Sequence, residues 1–564
     1  MNYKALLFLC ITVGIFSCKP KEKTAAVNYD NFLNEYIDST VSPGEDFFKF
    51  AMGKWLKNNP IPESERSWGI WTLVNEENYS RIRKINEEAA ANTKAKKGSN
   101  EQKIGDFWFT GMDTVTIEKQ GITPLKPELD KIAAISDPQG VIKMASYLHT
   151  MQVQPLFGNY IFQDEKNSNK FRLHFYQGGI GLPDRDYYFD KDERTVTIRN
   201  EYVKHISKMF QLTGIDAATA DTYAQTIMKM ETDFAGASRK LADLRDPYAN
   251  YNSMAVADVN KLCPAINWES FLADAGIKNI DTIIVGQPEF FKQLNTSLTK
   301  ESVDNWKIYL QWNLINAYAD RLSSDFDKEH FHFYGTILNG TKEQRARWKR
   351  VLDAEEDAMG FLLGQLYVEA YYPPEEKARY EKIVENTMAA YKVRIQQLDW
   401  MSPETKEKAL LKLSTVIKKV GYPDKWRDYS ALTITRDSYV QNAINANKYL
   451  HAYEVEKLYK PVDKTEWEMT PQTWNAYYNP SNNEIVLPAA AFIVPGVPDK
   501  YVDDAIAYGY AAGSTIGHEI THGFDDQGSQ FDEKGNLSEW WTPQDRAQFL
   551  ERTKLIVEQF NNYI

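Results

Sequence analysis

The stretch Gly517-His518-Glu519-Ile520-Thr521-His522-Gly523 decides how the rest of this 564-residue chain is read. On a helix, positions i and i+4 share a face one turn apart, so two imidazoles there can converge on one metal ion. Glu519 then lies beside the ion. It can take a proton from a water that the metal makes acidic and hand it to a leaving amine, which is peptide hydrolysis. From Asp503 to His522 the pattern predicts one helix, with acids at its start, small residues (Ala507, Ala511, Gly513, Ser514) in its body and Gly523 at its stop. Asp525, three residues past the second histidine, is placed to accept a hydrogen bond from a ligand's free ring N–H. The plain alternatives are two solvated histidines and an ordinary carboxylate in a helix-ending turn.

A zinc site of this kind needs a third protein ligand, and its position sorts the classes. A histidine six residues after His522 would stand at 528, which is Gly528, so the metzincin pattern is excluded. A glutamate about twenty residues later would stand at Trp541 or Thr542. The nearest carboxylate, Glu539, is out of step with that spacing and reads as a surface charge. No Glu-x-x-x-Asp pattern follows His522.

The residues from Gly517 through Phe524-Asp525-Asp526-Gln527-Gly528, with Phe531-Asp532, Gly535-Asn536-Leu537 and Trp540-Trp541-Thr542, resemble those of the neprilysin and endothelin-converting-enzyme-like zinc metallopeptidases, in a bacterial version. Upstream, Trp474-Asn475-Ala476-Tyr477-Tyr478-Asn479-Pro480 and Asn483-Glu484-Ile485-Val486-Leu487-Pro488 are similar to that family's substrate-aligning edge strand. An unpaired strand edge can add a peptide as a further strand, and an Asn side chain there can clamp its backbone. A hairpin packed on the core is the plain alternative. The likeness extends to Asp46–Ala51 with Gly53–Leu56, to Gly181–Tyr188, to Gly364–Val368, and to Trp400-Met401 through Gly421–Asp424.

The resemblance implies a mainly α-helical, two-lobed gluzincin with few short strands. A thermolysin-like catalytic lobe and a helical lobe would enclose a substrate cavity, and the N-terminal segment would return to the catalytic lobe. It implies one Zn²⁺ per chain on His518 and His522, Glu519 as general base, Asp525 behind a ligand, and Asn475 and Ala476 on the substrate backbone. The family's third ligand, a glutamate in a Glu-Asn-x-x-Asp motif, would fall past residue 564, as would the groups that stabilise the oxyanion. On that ground the chain is expected to be cut within its catalytic domain. Arg66 and Trp71 fall near the family's substrate-end arginine and pocket aromatic. Arg66 is one residue out of register and reads as a surface arginine. Ala491–Pro498 departs from the family's apolar run, so the pocket for the residue after the cut is left open.

At the N-terminus, Lys4, the apolar run Ala5–Phe16 and Ser17-Cys18 predict an export signal too short to span a membrane. Ile15-Phe16-Ser17-Cys18 resembles a lipoprotein box, with Cys18 lipidated. An ordinary signal peptide is the alternative. Of three cysteines, cleavage would leave Cys18 and Cys263, so no internal disulfide is expected and the core must hold by burial. A net charge of −12 with no sustained basic run argues against nucleic acid. The expected partners are small peptides and, through the lipid, a bacterial envelope membrane, facing either the periplasm or the surface.

The chain divides into a signal (1–18), a tether (19–30), a helical peptidase domain (31–430), a connecting segment (431–473) and a catalytic zinc domain (474–564). Ser402 through Gly421 predicts one helix, with Ser402 as N-cap and Pro403 in the first turn. Strands are expected at Phe171–Phe175, His330–Tyr334 and Glu484–Leu487. On the second of these, His330 and His332 would share a half-exposed face. The favoured function is zinc-dependent cleavage of small peptides on the amino side of apolar residues. One alternative is an inactive, peptide-binding envelope lipoprotein with an incomplete zinc site. Another is a sugar- or peptide-binding lipoprotein in which the motif is accidental.

Overall fold

The computed structural model describes residues 34–494 and 496–563; Cys18, the expected signal and the tether lie outside them. The described residues form two compact units, one ending at Pro60 and one beginning at Ile61. In the first, Asp46 caps helix Phe47–Asn58 by accepting the Lys49 amide at 2.9 Å. Lys57 pairs with Asp38 at 2.6 Å, and an added Cβ on Gly53 would sit 2.9 Å from the Asp38 side chain, so a small residue is needed there.

The second unit is mainly helical. Its larger core gathers long amphipathic helices between residues 126 and 333, where Trp268, Trp306, Trp312, Tyr202 and Tyr309 are fully buried. The Gly181–Tyr188 segment is anchored there by a buried carboxylate. Glu231 accepts from the Tyr188 hydroxyl (2.6 Å), the Tyr202 hydroxyl (3.0 Å) and the Gly181 amide (3.1 Å). Burial pushes the Glu231 carboxyl up to about 7, against the pull of those donors. Any side chain at Gly181 would strike the Tyr202 hydroxyl.

Among the described residues seven strands form two sheets. β1 (Gly158–Asp164), β2 (Asn167–Tyr176), β3 (Ser253–Ala255) and β4 (Thr282–Val285) run in the order β1-β2-β4-β3, with β2 and β4 parallel. β5 (Ile417–Gly421), β6 (Tyr477–Asn479) and β7 (Glu484–Pro488) run β5-β7-β6, which leaves β6 at an edge. The tip of the β1–β2 hairpin meets the second sheet's turn and the residues after the motif. Gln163 donates to Asn482 Oδ1 at 2.8 Å, and Asn536 Oδ1 accepts the Ser168 amide at 3.0 Å.

Four further helices bring the substrate-strand region and the motif together. α1 (Ile70–Ala91) gives Asn78, whose amide donates to the Gln472 carbonyl. α2 (Arg347–Tyr371) approaches the same segment at Gly360 and Gly364, where added Cβ atoms would lie 2.9 Å from Thr470 and Gln472. α3 (Pro374–Gln397) packs against the π-helical stretch that leads into the motif, and α4 (Pro403–Ser414) packs on α3.

Two expectations are corrected. The predicted Ser402–Gly421 helix ends at Ser414, and Ile417–Gly421 is β5, parallel to β7. Val416 and Ile417 are β-branched and pair better than they wind, and Gly421 turns out of the strand at φ +79°. His330–Tyr334 is no strand either. A helix over Ser324–His330 runs into a π-helix over Phe331–Leu338, because Phe326 and Phe333, seven residues apart, bury one helical face. His330 packs its ring on Tyr334 at 4.7 Å, and burial pushes it down to about 4. It does not pair with His332. Among the described residues no helix is long and apolar enough to cross a membrane.

Candidate metal centre

The motif helix starts where the sequence places it. Asp503 accepts the Ile506 amide at 2.8 Å, and the helix then runs through Asp504–Ala507, a π-helical stretch at Tyr508–Ile516, and α5 (Gly517–His522). The π segment is the departure from the single α-helix expected, and such segments recur at functional sites. Gly523 ends the helix in right-handed conformation, so its freedom at positive φ is not used. Tyr391 of α3 pins the start of α5, donating to the Gly517 carbonyl at 2.6 Å and touching the Thr521 hydroxyl.

On α5 the His518 and His522 rings stand nearly perpendicular, with their Nε2 atoms 3.0 Å apart. Two zinc–nitrogen bonds at a tetrahedral angle hold such atoms about 3.3 Å apart, so the pair has the spacing a shared ion requires. His522 Nδ1 lies 2.7 Å from Asp525 Oδ2, and the other oxygen of Asp525 accepts the amides of Gln527 (2.9 Å) and Gly528 (2.8 Å). A carboxylate at Nδ1 places the proton there and leaves Nε2 free as a ligand atom. These donors fit zinc, a metal served by neutral imidazoles. No group of three or more His, Cys, Asp and Glu side chains placed to hold a metal occurs among the described residues. Glu539, beside the spacing tested for a third ligand, pairs with Arg546 at 3.2 Å on the surface.

Glu519 is 5% exposed, and burial pushes its carboxyl up to about 7, with His522 pulling the other way. It lines a cavity of about 200 Å³ with His518 and Ser514 on one side and Trp474, Asn475 and Ala476 on the other. The sequence's base, one of its ligands and its substrate-backbone pair therefore share one space. Asn475 Oδ1 is turned onto the Ala476 amide at 2.9 Å, immediately before edge strand β6. Trp71 packs its half-exposed ring 6.5 Å from Trp474, whereas Arg66 donates to Asn339 on the surface at 2.8 Å. In the divergent Ala491–Pro498 stretch, Phe492 stacks on Tyr380 at 3.8 Å, and among its described residues Ala491 lines the cavity. A second cavity, about 450 Å³, opens on the other side of His518, towards Tyr391 and Arg394.

One residue near the site escaped the sequence reading. Lys412 of α4 is fully buried and donates to the carbonyls of Gly528 and Phe531, each at 2.7 Å. Burial pushes its ammonium down to about 7, against the pull of Asp532, Asp525 and Glu533. The signal was present: Thr405, Ala409, Lys412 and Leu413 share the buried helical face.

Comparison with known proteins gives a consistent result. Two models of peptidase family M13 match residues 43–423 and 475–564. Neprilysin-3 of Drosophila melanogaster is 30% identical over 555 residues, covering 93% of this chain and 70% of the relative. Endothelin-converting enzyme 1 of Rattus norvegicus is 29% identical over 558 residues, 96% of this chain and 72% of the relative. The crystal structure of Mycobacterium tuberculosis zinc metalloprotease Zmp1 in complex with an inhibitor superposes with a TM-score of 0.89 at 37% identity, over 93% of this chain and 79% of that one.

Proposed function

As the chain belongs to peptidase family M13 and is a zinc-dependent endopeptidase, we propose that its own residues divide the work as follows. His518 and His522 would hold one zinc ion through Nε2. Asp525 keeps the His522 proton on Nδ1. A zinc ion held there would supply Lewis-acid chemistry, polarising a peptide carbonyl and making a water more acidic. Glu519 takes the proton of that water and returns it to the leaving amine; its raised affinity for protons suits both transfers. A peptide lies along the free edge of β6, its backbone held by Asn475 and Ala476, with an apolar residue following the cut. The substrates are small peptides. Cys18 carries the lipid that tethers the exported protein to a bacterial envelope membrane.

The observation that carries this reading is the 3.0 Å approach of two imidazole nitrogens beside a buried carboxyl, on a cavity shared with Asn475 and Ala476. The test strips the protein with a chelator, restores zinc, and maps the cuts in a mixed set of short peptides by mass. Cleavage that returns with zinc and falls before Phe, Leu or Ile supports the reading. Cleavage indifferent to chelator, or spread equally before charged residues, overturns it.

A further inference from the structure

We propose that Lys412 is a positioning residue for the metal-facing nitrogen of His522, acting through the Gly528 peptide and the Asp525 carboxylate. The inference rests on the reading of His522 as a zinc ligand. The contacts run in one line. Lys412 Nζ reaches the Gly528 and Phe531 carbonyls at 2.7 Å each, spanning the 3-10 turn Gly528–Gln530 from end to end. The amide of the same Gly528 donates to Asp525 Oδ1 at 2.8 Å, and Asp525 Oδ2 meets His522 Nδ1 at 2.7 Å.

Nothing in this line has room to drift. An added Cβ on Gly528 would lie 1.8 Å from the His522 carbonyl oxygen, so the turn sits directly on the end of α5. The rings of Tyr478, Phe524 and Trp540 surround the ammonium at 5.7 to 5.9 Å and leave it no path to water. Removing Lys412 leaves the Phe531 carbonyl without its donor and the Gly528 carbonyl with the Phe531 amide alone, at 3.0 Å, and the turn relaxes towards any donor within reach. Asp525 would lose the Gly528 amide that helps aim it, and the His522 tautomer would be less firmly fixed.

The test uses Lys412→Met, Lys412→Gln, Asp525→Ala and the double variants in the full protein. Zinc affinity is read by competition with a chromogenic chelator, and the His522 and His518 ring nitrogens by NMR of the zinc-free protein. For K412M we expect zinc binding about tenfold weaker and a His522 signal moved away from the Nδ1–H form, with His518 unchanged. K412Q, which keeps an uncharged N–H donor group, should fall between. In the D525A background K412M should add nothing, because the line is already cut. Wild-type affinity with an unchanged His522 signal overturns the proposal, as does a K412M loss that persists in full without Asp525. If K412M does not fold, K412Q and its double variant with D525A decide by the same criteria. Failure of the wild type to bind zinc would count against the proposed function instead, and the zinc-free tautomer would still judge Lys412.

Discussion

Replacing Asp525 by Asn should damage the metal site far more than the fold. Asp525 Oδ1 is fixed by two backbone donors, Gln527 N at 2.9 Å and Gly528 N at 2.8 Å, so an asparagine must turn its one acceptor oxygen to them. Its NH₂ then faces His522 Nδ1, where the carboxylate oxygen stood at 2.7 Å. The imidazole can meet a donor there only by accepting, which moves its proton to Nε2, the nitrogen 3.0 Å from His518. A protonated nitrogen cannot ligate, so zinc must first restore the other tautomer and set donor against donor. One such unsatisfied contact costs about 1–3 kcal/mol, which at 1.36 kcal/mol per tenfold weakens binding about 5- to 150-fold. The assay is chelator competition, paired with ¹⁵N spectra of the rings and a urea melt. Affinity within twofold of wild type, with the Nδ1–H signal retained, would refute the argument.

Other expectations follow from single contacts. Lys419 and Glu484 pair across β5 and β7 at 2.7 Å with both side chains buried, so Glu484→Gln should cost about 3–5 kcal/mol in urea unfolding by stranding the ammonium. Glu231 binds its proton more tightly folded (about 7) than at its ordinary value of 4.5. Between those values the native state holds more proton than the unfolded chain, so this group's contribution is full below 4.5 and is lost as pH rises through 7. Glu231→Gln should flatten that part of the stability profile, and an unchanged slope would count against the assignment. Cys18→Ser should move the exported protein from the membrane fraction to the soluble one; continued membrane association would remove the lipid-anchor proposal.

The motif was legible because its chemistry is local. His518, Glu519 and His522 lie within two helical turns, and Asp525 follows in the next turn, so spacing alone places them. The link from Asn475 and Ala476 to Glu519 came through family resemblance, because no local periodicity reports a cavity formed between distant segments. β5 was missed because its partner β7 lies far along the chain, and the short Ile417–Gly421 run continues the apolar pattern of the preceding helix. His330–Tyr334 misled for the opposite reason. Alternation over a few residues fits a strand, but the burial that decides it spans Phe326 to Phe333. For Lys412 the buried helical face is visible in the sequence, but its acceptors are backbone carbonyls, which carry no sequence signature.

Glu519→Gln tests the central claim most directly, because it keeps the size of the buried side chain and removes its ability to exchange a proton. Zinc content and the hydrolysis of an internally quenched peptide are measured on the same preparations of wild type and variant. The account predicts equal zinc and a rate lower by about 10²–10⁴. Equal rates at equal zinc content would contradict it.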